Sequence, residues 1–397
     1  RPLIPMLKLI KSLKRRTPLG WLQLSHEKTR LLVALAGIAF SDILIFMQLG
    51  FQTALYASNT RLQSHLDADI VLLSPNARNL VNLSTFPRSR LYQAMDVPGV
   101  ETADPMYVQF SDWKNPQTRQ KTSILVIGFN PDRPAFELPE LQEYADEMKL
   151  PNTVAFDRNA RGEYGEAIAA IDRGETVKTE LENHTLTIAG LYEMGASFAA
   201  DGTLMTSDRN FLRLFPRRRP GGVSLGILHV EPGRDPEAVA QALDAYLPKD
   251  VDVLTKEGFI EFEKHYWATN TAIGFVFTLG TIMGFIVGIV IVYQVLSTDV
   301  RDRLPEYATF KAMGYRNRYL LGIVFEEAVI LAFIGFFPGV GVSLGLYALT
   351  RNATNLPLYM TLFRAIQVLT ITLIMCGISG AIATRKLQAA DPADIFG

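Results

Sequence analysis

Few residues in this chain are spaced for catalysis. No glycine-rich loop ending in Lys-Ser/Thr occurs, and Gly162, Gly165 and Gly174 lack the spacing of a phosphate cradle. The five histidines (His26, His65, His184, His229 and His265) are scattered, and the single Cys376 lies in an apolar run. Neither a metal-binding pair nor an intrachain disulfide can be built from them. No Gly-x-Ser-x-Gly elbow is present. The triplets starting at Asn82, Asn183 and Asn352 match the glycosylation pattern, but so short a motif carries no weight alone. The acids Asp67, Asp69, Glu137 and Glu140 are the only candidates for a paired-carboxylate site of a membrane enzyme. In so acidic a stretch they read first as solvated surface. The expectation is a non-catalytic chain with no cofactor, no metal and no nucleic-acid partner.

Other residues are placed for mechanical rather than covalent work. Asp42 stands inside an apolar run, followed by Gln48 and Gln52. A buried intramembrane charge is costly and faces protein or water. Asp42 therefore lines a path, meets a partner helix or makes a structural hydrogen bond. Gly280, Gly284 and Gly288 recur every four residues, which bares one helix face for close approach by another helix, within the chain or across a homodimer. Gly335/Gly339 and Gly341/Gly345 repeat the pattern around Pro338, which is expected to kink its helix. Between Ser297 and Tyr319 lies a polar stretch in which Pro305 can start a helix. Tyr307, Phe310, Met313 and Gly314 then fall near one face, flanked by Glu306 and Lys311. A short amphipathic helix of this kind suits a groove on a soluble partner.

The elements that position these residues follow from hydropathy. Apolar runs at 31–57, 268–297, 319–348 and 361–384 are each long enough to cross a bilayer, which takes about 20 residues. Averaged over the 397 residues this segregation is hidden, and mean hydropathy is only +0.14. The first run reads as a signal anchor, too long for a cleavable signal. Residues 1–30 carry eight Lys/Arg against Glu27, and 299–318 five against three acids. The 58–267 insert holds 22 basic and 31 acidic residues, a net of −9. The basic segments belong in the cytoplasm. That places 1–30, a 298–318 coupling loop and the 385–397 tail inside, and the insert and the short 349–360 loop outside. Residues 7–30 interleave Leu7, Leu9, Leu13 and Trp21 with cations, as in an interfacial helix against anionic lipid.

The insert mixes elements. Residues 69–73, 122–127, 185–188 and 223–230 read as strands, and 91–95, 208–214 and 236–246 as helices, the last capped by Asp235 ahead of Pro236. The fold class is thus a four-helix membrane protein with a large α+β extracytoplasmic domain between helices one and two. Glu326 and Glu327, early in the third run, are expected to reach the inner interface.

The stretch Glu306-Tyr-Ala-Thr-Phe-Lys-Ala-Met-Gly-Tyr315, followed by Glu326-Glu-Ala328, resembles the signature of MacB/FtsX-type ABC transporter permeases. The lead-in from Trp21 to Leu32 and the tail from Ala389 to Phe396 resemble the same family. Leu35–Phe40 and Phe46–Phe51 are similar to its cyanobacterial DevC branch. The resemblance implies an inner-membrane homodimer that binds two copies of a separate ATPase through the 306–315 helix. It also implies a periplasmic adaptor (membrane fusion protein), an outer-membrane TolC-like channel and an amphipathic cargo such as a glycolipid. Alternatives within the family are an FtsX-like regulator of a cell-wall hydrolase and a lipoprotein-releasing permease.

Overall fold

The computed structural model describes residues 28–389 apart from Pro134, Phe198, Pro220, Arg316 and Asn355. The basic lead-in before residue 28 and the tail after residue 389 lie outside the described residues. In chain order the helices are α1 Lys28–Asn59, α2 Arg61–Ser64, α3 Ser89–Ala94, α4 Pro139–Glu143, α5 Gly165–Asp172, α6 Asp208–Leu214, α7 Pro236–Tyr246, α8 Lys256–Thr269, α9 Ala272–Asp302, α10 Leu304–Ala312, α11 Asn317–Thr354 and α12 Leu362–Ala389. Two compact units result, one over Arg1–Gln52, Phe275–Thr350 and Leu358–Gly397, the other over Thr53–Gly274 and Arg351–Pro357.

Among the described residues four helices are long and apolar enough to cross a membrane, α1, α9, α11 and α12. Pro338 stands inside α11 without ending it. Helices α1 and α11 run in parallel with one constant offset. A side chain at Gly335 would strike Ile38, one at Gly339 would lie 2.9 Å from Cβ of Asp42, and one at Gly50 would strike Tyr347. Each step is a whole number of four-residue turns, so small residues on one helix admit larger ones from the other. The Tyr347 hydroxyl also donates to the Phe46 carbonyl.

The second unit is α+β. Its main sheet has nine strands in the order β11-β1-β10-β3-β4-β8-β5-β7-β6, and β3 also pairs with β6. Their ranges are β1 Ile70–Leu73, β3 Val100–Lys114, β4 Lys121–Phe129, β5 Thr153–Asp157, β6 Val177–Leu181, β7 His184–Tyr192, β8 Thr203–Ser207, β10 Leu225–Val230 and β11 Asp252–Thr255. The long β3 joins two halves. Its first part pairs with β10 and its second with β4, so strands β3-β4-β8-β5-β7-β6 close on themselves. Strand β1 is buried on both faces. Ile70 and Leu72 enter one core with Phe86 and Val126, while Val71 and Leu73 enter a second with Ile127 and Phe259.

The single strand expected over 223–230 is two. Gly222–Val223 (β9) pairs with Phe86–Pro87 (β2), and β10 starts only at Leu225. The break falls at Ser224, whose hydroxyl oxygen accepts the Val108 N–H at 3.0 Å. The Ser224 N–H itself still donates to the Met106 carbonyl at 3.2 Å.

Helix α8 is held by a buried carboxylate. Glu263 accepts the Leu80 N–H and the Trp267 indole N–H, both at 2.8 Å. Burial pushes its pKa up to about 7, against the lowering effect of those two bonds. The unfolded chain therefore releases this proton first, near pH 4.5, while the folded chain still holds it. Stability contributed by this site is complete below that point and falls as pH rises towards 7, by roughly 3 kcal/mol in all. Protection of the Leu80 amide against hydrogen exchange, corrected for intrinsic rate, is expected to drop between pH 5 and pH 8. The Glu263→Gln variant should be flat over that range, and equal slopes in the two proteins would contradict the assignment.

Candidate functional site

The connection between α9 and α11 is built around a short helix with two unlike faces. Helix α10 follows α9 almost without a break, since Arg303 N–H donates to the Asp299 carbonyl and Tyr307 N–H to the Arg303 carbonyl. Its far end is a glycine stop. Gly314 has φ of 88°, and the Tyr315 N–H reaches back five residues to the Phe310 carbonyl at 3.0 Å. The Phe310 and Tyr315 rings meet edge-on at 5.7 Å. A left-handed glycine, a six-to-one hydrogen bond and an apolar contact across it together define a Schellman stop.

The inner face is anchored by Tyr307, only 2% exposed, which packs with Val300 of α9 and Ile323 and Val324 of α11. Phe310 and Tyr319 pack against the same cluster. Burial and the neighbouring acids, Glu327 first among them, push the Tyr307 hydroxyl well above its ordinary pKa. The outer side presents Glu306, Met313, Gly314 and Tyr315, with Met313 61% exposed. The single face expected for Tyr307, Phe310, Met313 and Gly314 is thus divided. The helix stops at Ala312, and the chain turns Met313 and Gly314 outward while Tyr307 and Phe310 turn in. The Lys311 side chain lies outside the described residues.

Beneath α10 a polar cluster ties three helices together. Asp299 accepts from Arg303 at 3.1 Å and lies 3.7 Å from Arg30 of α1, which also pairs with Asp302 at 2.7 Å. Glu327 is fully buried beside this cluster rather than at the interface, a correction to the expectation for it. One helical turn of α11 places it under α10, facing Asp299, Arg303 and Tyr307. Glu326, on the next position round the helix, is half-buried.

Asp42 is fully buried in the first unit. It accepts the Thr372 hydroxyl of α12 at 2.6 Å and lies against Gly339 of α11. One side chain thereby meets two other helices. The glycine stripe of α9 faces α1 of the same chain. A side chain at Gly280 would strike the Gln48 amide, and one at Gly284 would come 3.1 Å from Ile45. At Gly288 it would strike Met375 of α12 and approach Ser41 at 3.0 Å. The stripe is therefore filled within the chain and is not left bare for a second copy. Gly341 and Gly345, by contrast, have open space before them.

Three of the four external acids have partners of other kinds. Asp69 caps the Val230 N–H, Glu137 is paired with Lys256 at 2.6 Å, and Asp67 lies 3.7 Å from His229. Among the described residues no group of three or more His, Cys, Asp or Glu could hold a metal ion.

The two units match two families in sequence. Residues 275–392 match the FtsX-like permease C-terminal family, and residues 31–246 match the MacB-like periplasmic core domain. No curated protein matches the chain. The inserted domain is similar to the periplasmic region of MacB from Actinobacillus actinomycetemcomitans, at 10% identity and a TM-score of 0.32, over 51% of this chain and 94% of that one. It is also similar to the extracellular domain of the noncanonical ABC-type transporter YknZ from Gram-positive bacteria, at 12% identity and a TM-score of 0.31, over 47% of this chain and all of that domain. With four apolar helices, a large domain between the first and second, and more than half of its length matched by one of these families, the chain belongs to the MacB/FtsX-like permeases.

Proposed function

We propose that this chain is the transmembrane subunit of an ABC exporter of the tripartite type, and that α10 receives the stroke of a separate ATPase. The observation that carries this reading is the division of α10. Its exposed side, with Glu306, Met313 and Tyr315, is free for a partner, while its buried side wedges Tyr307 between the ends of α9 and α11. A push on the exposed side is delivered to two membrane helices at once. The charge asymmetry supports a cytoplasmic position for both termini and α10, with the −9 insert outside. Homodimerisation with two ATPase copies, a periplasmic adaptor, a TolC-like duct and an amphipathic cargo such as a glycolipid belong to the same proposal. They rest on the resemblance of the 35–51 segment and the tail to the DevC branch.

The test is reconstitution with a candidate partner ATPase, scored by whether this chain stimulates its ATP hydrolysis. Met313→Glu and Glu306→Arg are each expected to cut permease-stimulated ATP hydrolysis at least about tenfold, the cost of one lost interface anchor. Insertion and the folding of the 58–267 domain should be unaffected. Full stimulation by both variants would remove α10 as the docking element.

A further inference from the structure

The inserted domain carries a cleft that the coupling reading does not use. Its volume is about 450 Å³, within the range of small-molecule sites. The walls come from the end of α6 and the residues after it, from the β6–β7 turn and from β3. Arg217, Arg218 and His184 line one part, and Leu214, Phe215 and Pro216 another.

The cleft sets two adjacent arginines, Arg217 and Arg218, on the wall of a domain that is net acidic. The insert has a net charge of −9, and six of its arginines are ion-paired: Arg90, Arg133, Arg158, Arg161, Arg173 and Arg234. Between 209 and 219 stand five arginines, Arg209, Arg213 and the run Arg217–Arg219, and none has a carboxylate within 4.0 Å among the described residues. Arg218 is held in place by neutral groups alone. It donates to the Val108 carbonyl at 2.7 Å and to the Ser224 hydroxyl, and its guanidinium lies over the Phe211 ring at 5.4 Å. Burial without a counter-anion lowers its pKa. Two of its five N–H donors are used in those bonds, which leaves a fixed fork with donors to spare. Glu182, the one carboxylate on the wall, already accepts the Ser111 hydroxyl at 2.7 Å.

We infer that this cleft binds an anionic amphiphile, with an oxyanion head on Arg217 and Arg218 and an apolar body along Leu214 and Phe215. Arginine forks match the oxygens of phosphate, sulfate or carboxylate, and the apolar wall has no use for a bare inorganic ion. The cleft shares no residue with α10, so a silent cleft would leave the ATPase-coupling reading intact.

The test uses the full-length chain in lipid nanodiscs, titrated calorimetrically with octyl phosphate, octyl glucoside and inorganic phosphate, with empty nanodiscs subtracted. Octyl phosphate is expected to bind saturably, and the other two at least about tenfold more weakly. Arg217→Glu, at an exposed position, should weaken octyl phosphate at least about tenfold, and Arg217→Lys much less. Absence of saturable octyl phosphate binding would overturn the inference, as would an Arg217→Glu variant that binds it normally. Equal affinity for inorganic phosphate would overturn the amphiphile, and equal affinity for octyl glucoside would overturn the role of the anion.

Discussion

If α10 couples to an ATPase as proposed, replacing Tyr307 with alanine is expected to yield a protein that inserts and keeps its external domain but no longer stimulates ATP hydrolysis. Helix α10 has nine residues, too few to hold a helix in water without tertiary contacts. Its attachment runs through the Tyr307 ring, buried against Val300, Ile323 and Val324. Truncating a buried aromatic costs about 3–5 kcal/mol, more than so short a helix can recover from Phe310 alone. The hydroxyl contributes little of this. It is buried without a hydrogen-bond partner among the described residues, so Tyr307→Phe should match or slightly exceed the parent in stability, since an unsatisfied polar group is removed. Hydrogen exchange over 304–315 reads the attachment, and ATPase stimulation reads the coupling. The alanine variant should lose both and the phenylalanine variant neither. An alanine variant that stimulates normally would show that α10 transmits nothing through this side chain.

Much of the membrane unit is legible in the sequence because lipid imposes a simple rule: long apolar runs must be helices. The glycine stripe at 280, 284 and 288 is equally readable as a site of close approach. Its partner is not, since only the folded chain shows α1 and Met375 filling it. Glu327 misleads for a related reason. A carboxylate near the end of an apolar run normally snorkels to water, and here α10 folds over it and closes the way. In the inserted domain the strands that were legible are the apolar and β-branched runs of β1, β4, β7 and β10. Strand β3 is hidden because it carries Glu101, Asp104, Pro105 and Asp112, which punctuate it like a loop. Its edges are satisfied by β10, β4 and β6, and those are long-range pairings that no local pattern announces. The divided α10 lies between the two cases. Its aromatic and methionine positions mark an amphipathic helix, but the Gly314 stop turns Met313 to the other side.

The largest effect on the inserted domain is expected at a residue that sequence reasoning passed over. Asp157, at the end of β5, has no exposed surface. Its Oδ1 accepts the N–H groups of Asn159 and Met194 at 3.0 and 3.1 Å, and its Oδ2 that of Gly195 at 2.8 Å. Burial raises its pKa, and the three backbone donors and nearby Arg61 act against that rise. Arg61 completes the arrangement from the other side, since its guanidinium donates to the carbonyls of Met194 and Ala196 at 3.2 and 3.4 Å. One loop, 194–196, is thus clamped by an acid on its N–H groups and a base on its carbonyls. Asp157→Ala leaves three donors without their acceptor, at about 1 kcal/mol or more each. The expected loss of about 3 kcal/mol corresponds to a fall in Tm of roughly 10 °C for a domain of this size. Gly195→Val attacks the same clamp from the backbone. Gly195 has φ of 95°, and a Cβ there would strike the Arg61 guanidinium. Neither the left-handed backbone nor the guanidinium can yield without opening the clamp. Both variants should therefore show the same lowered transition when the full-length chain is melted with Trp113 fluorescence as the probe, Trp113 being buried in this domain's core. Because each breaks one shared arrangement, the double variant should fall well short of the sum of the two. Fully additive losses would mean that the acid and the glycine act separately, and an Asp157→Ala protein melting within two or three degrees of the parent would mean that the loop needs no clamp.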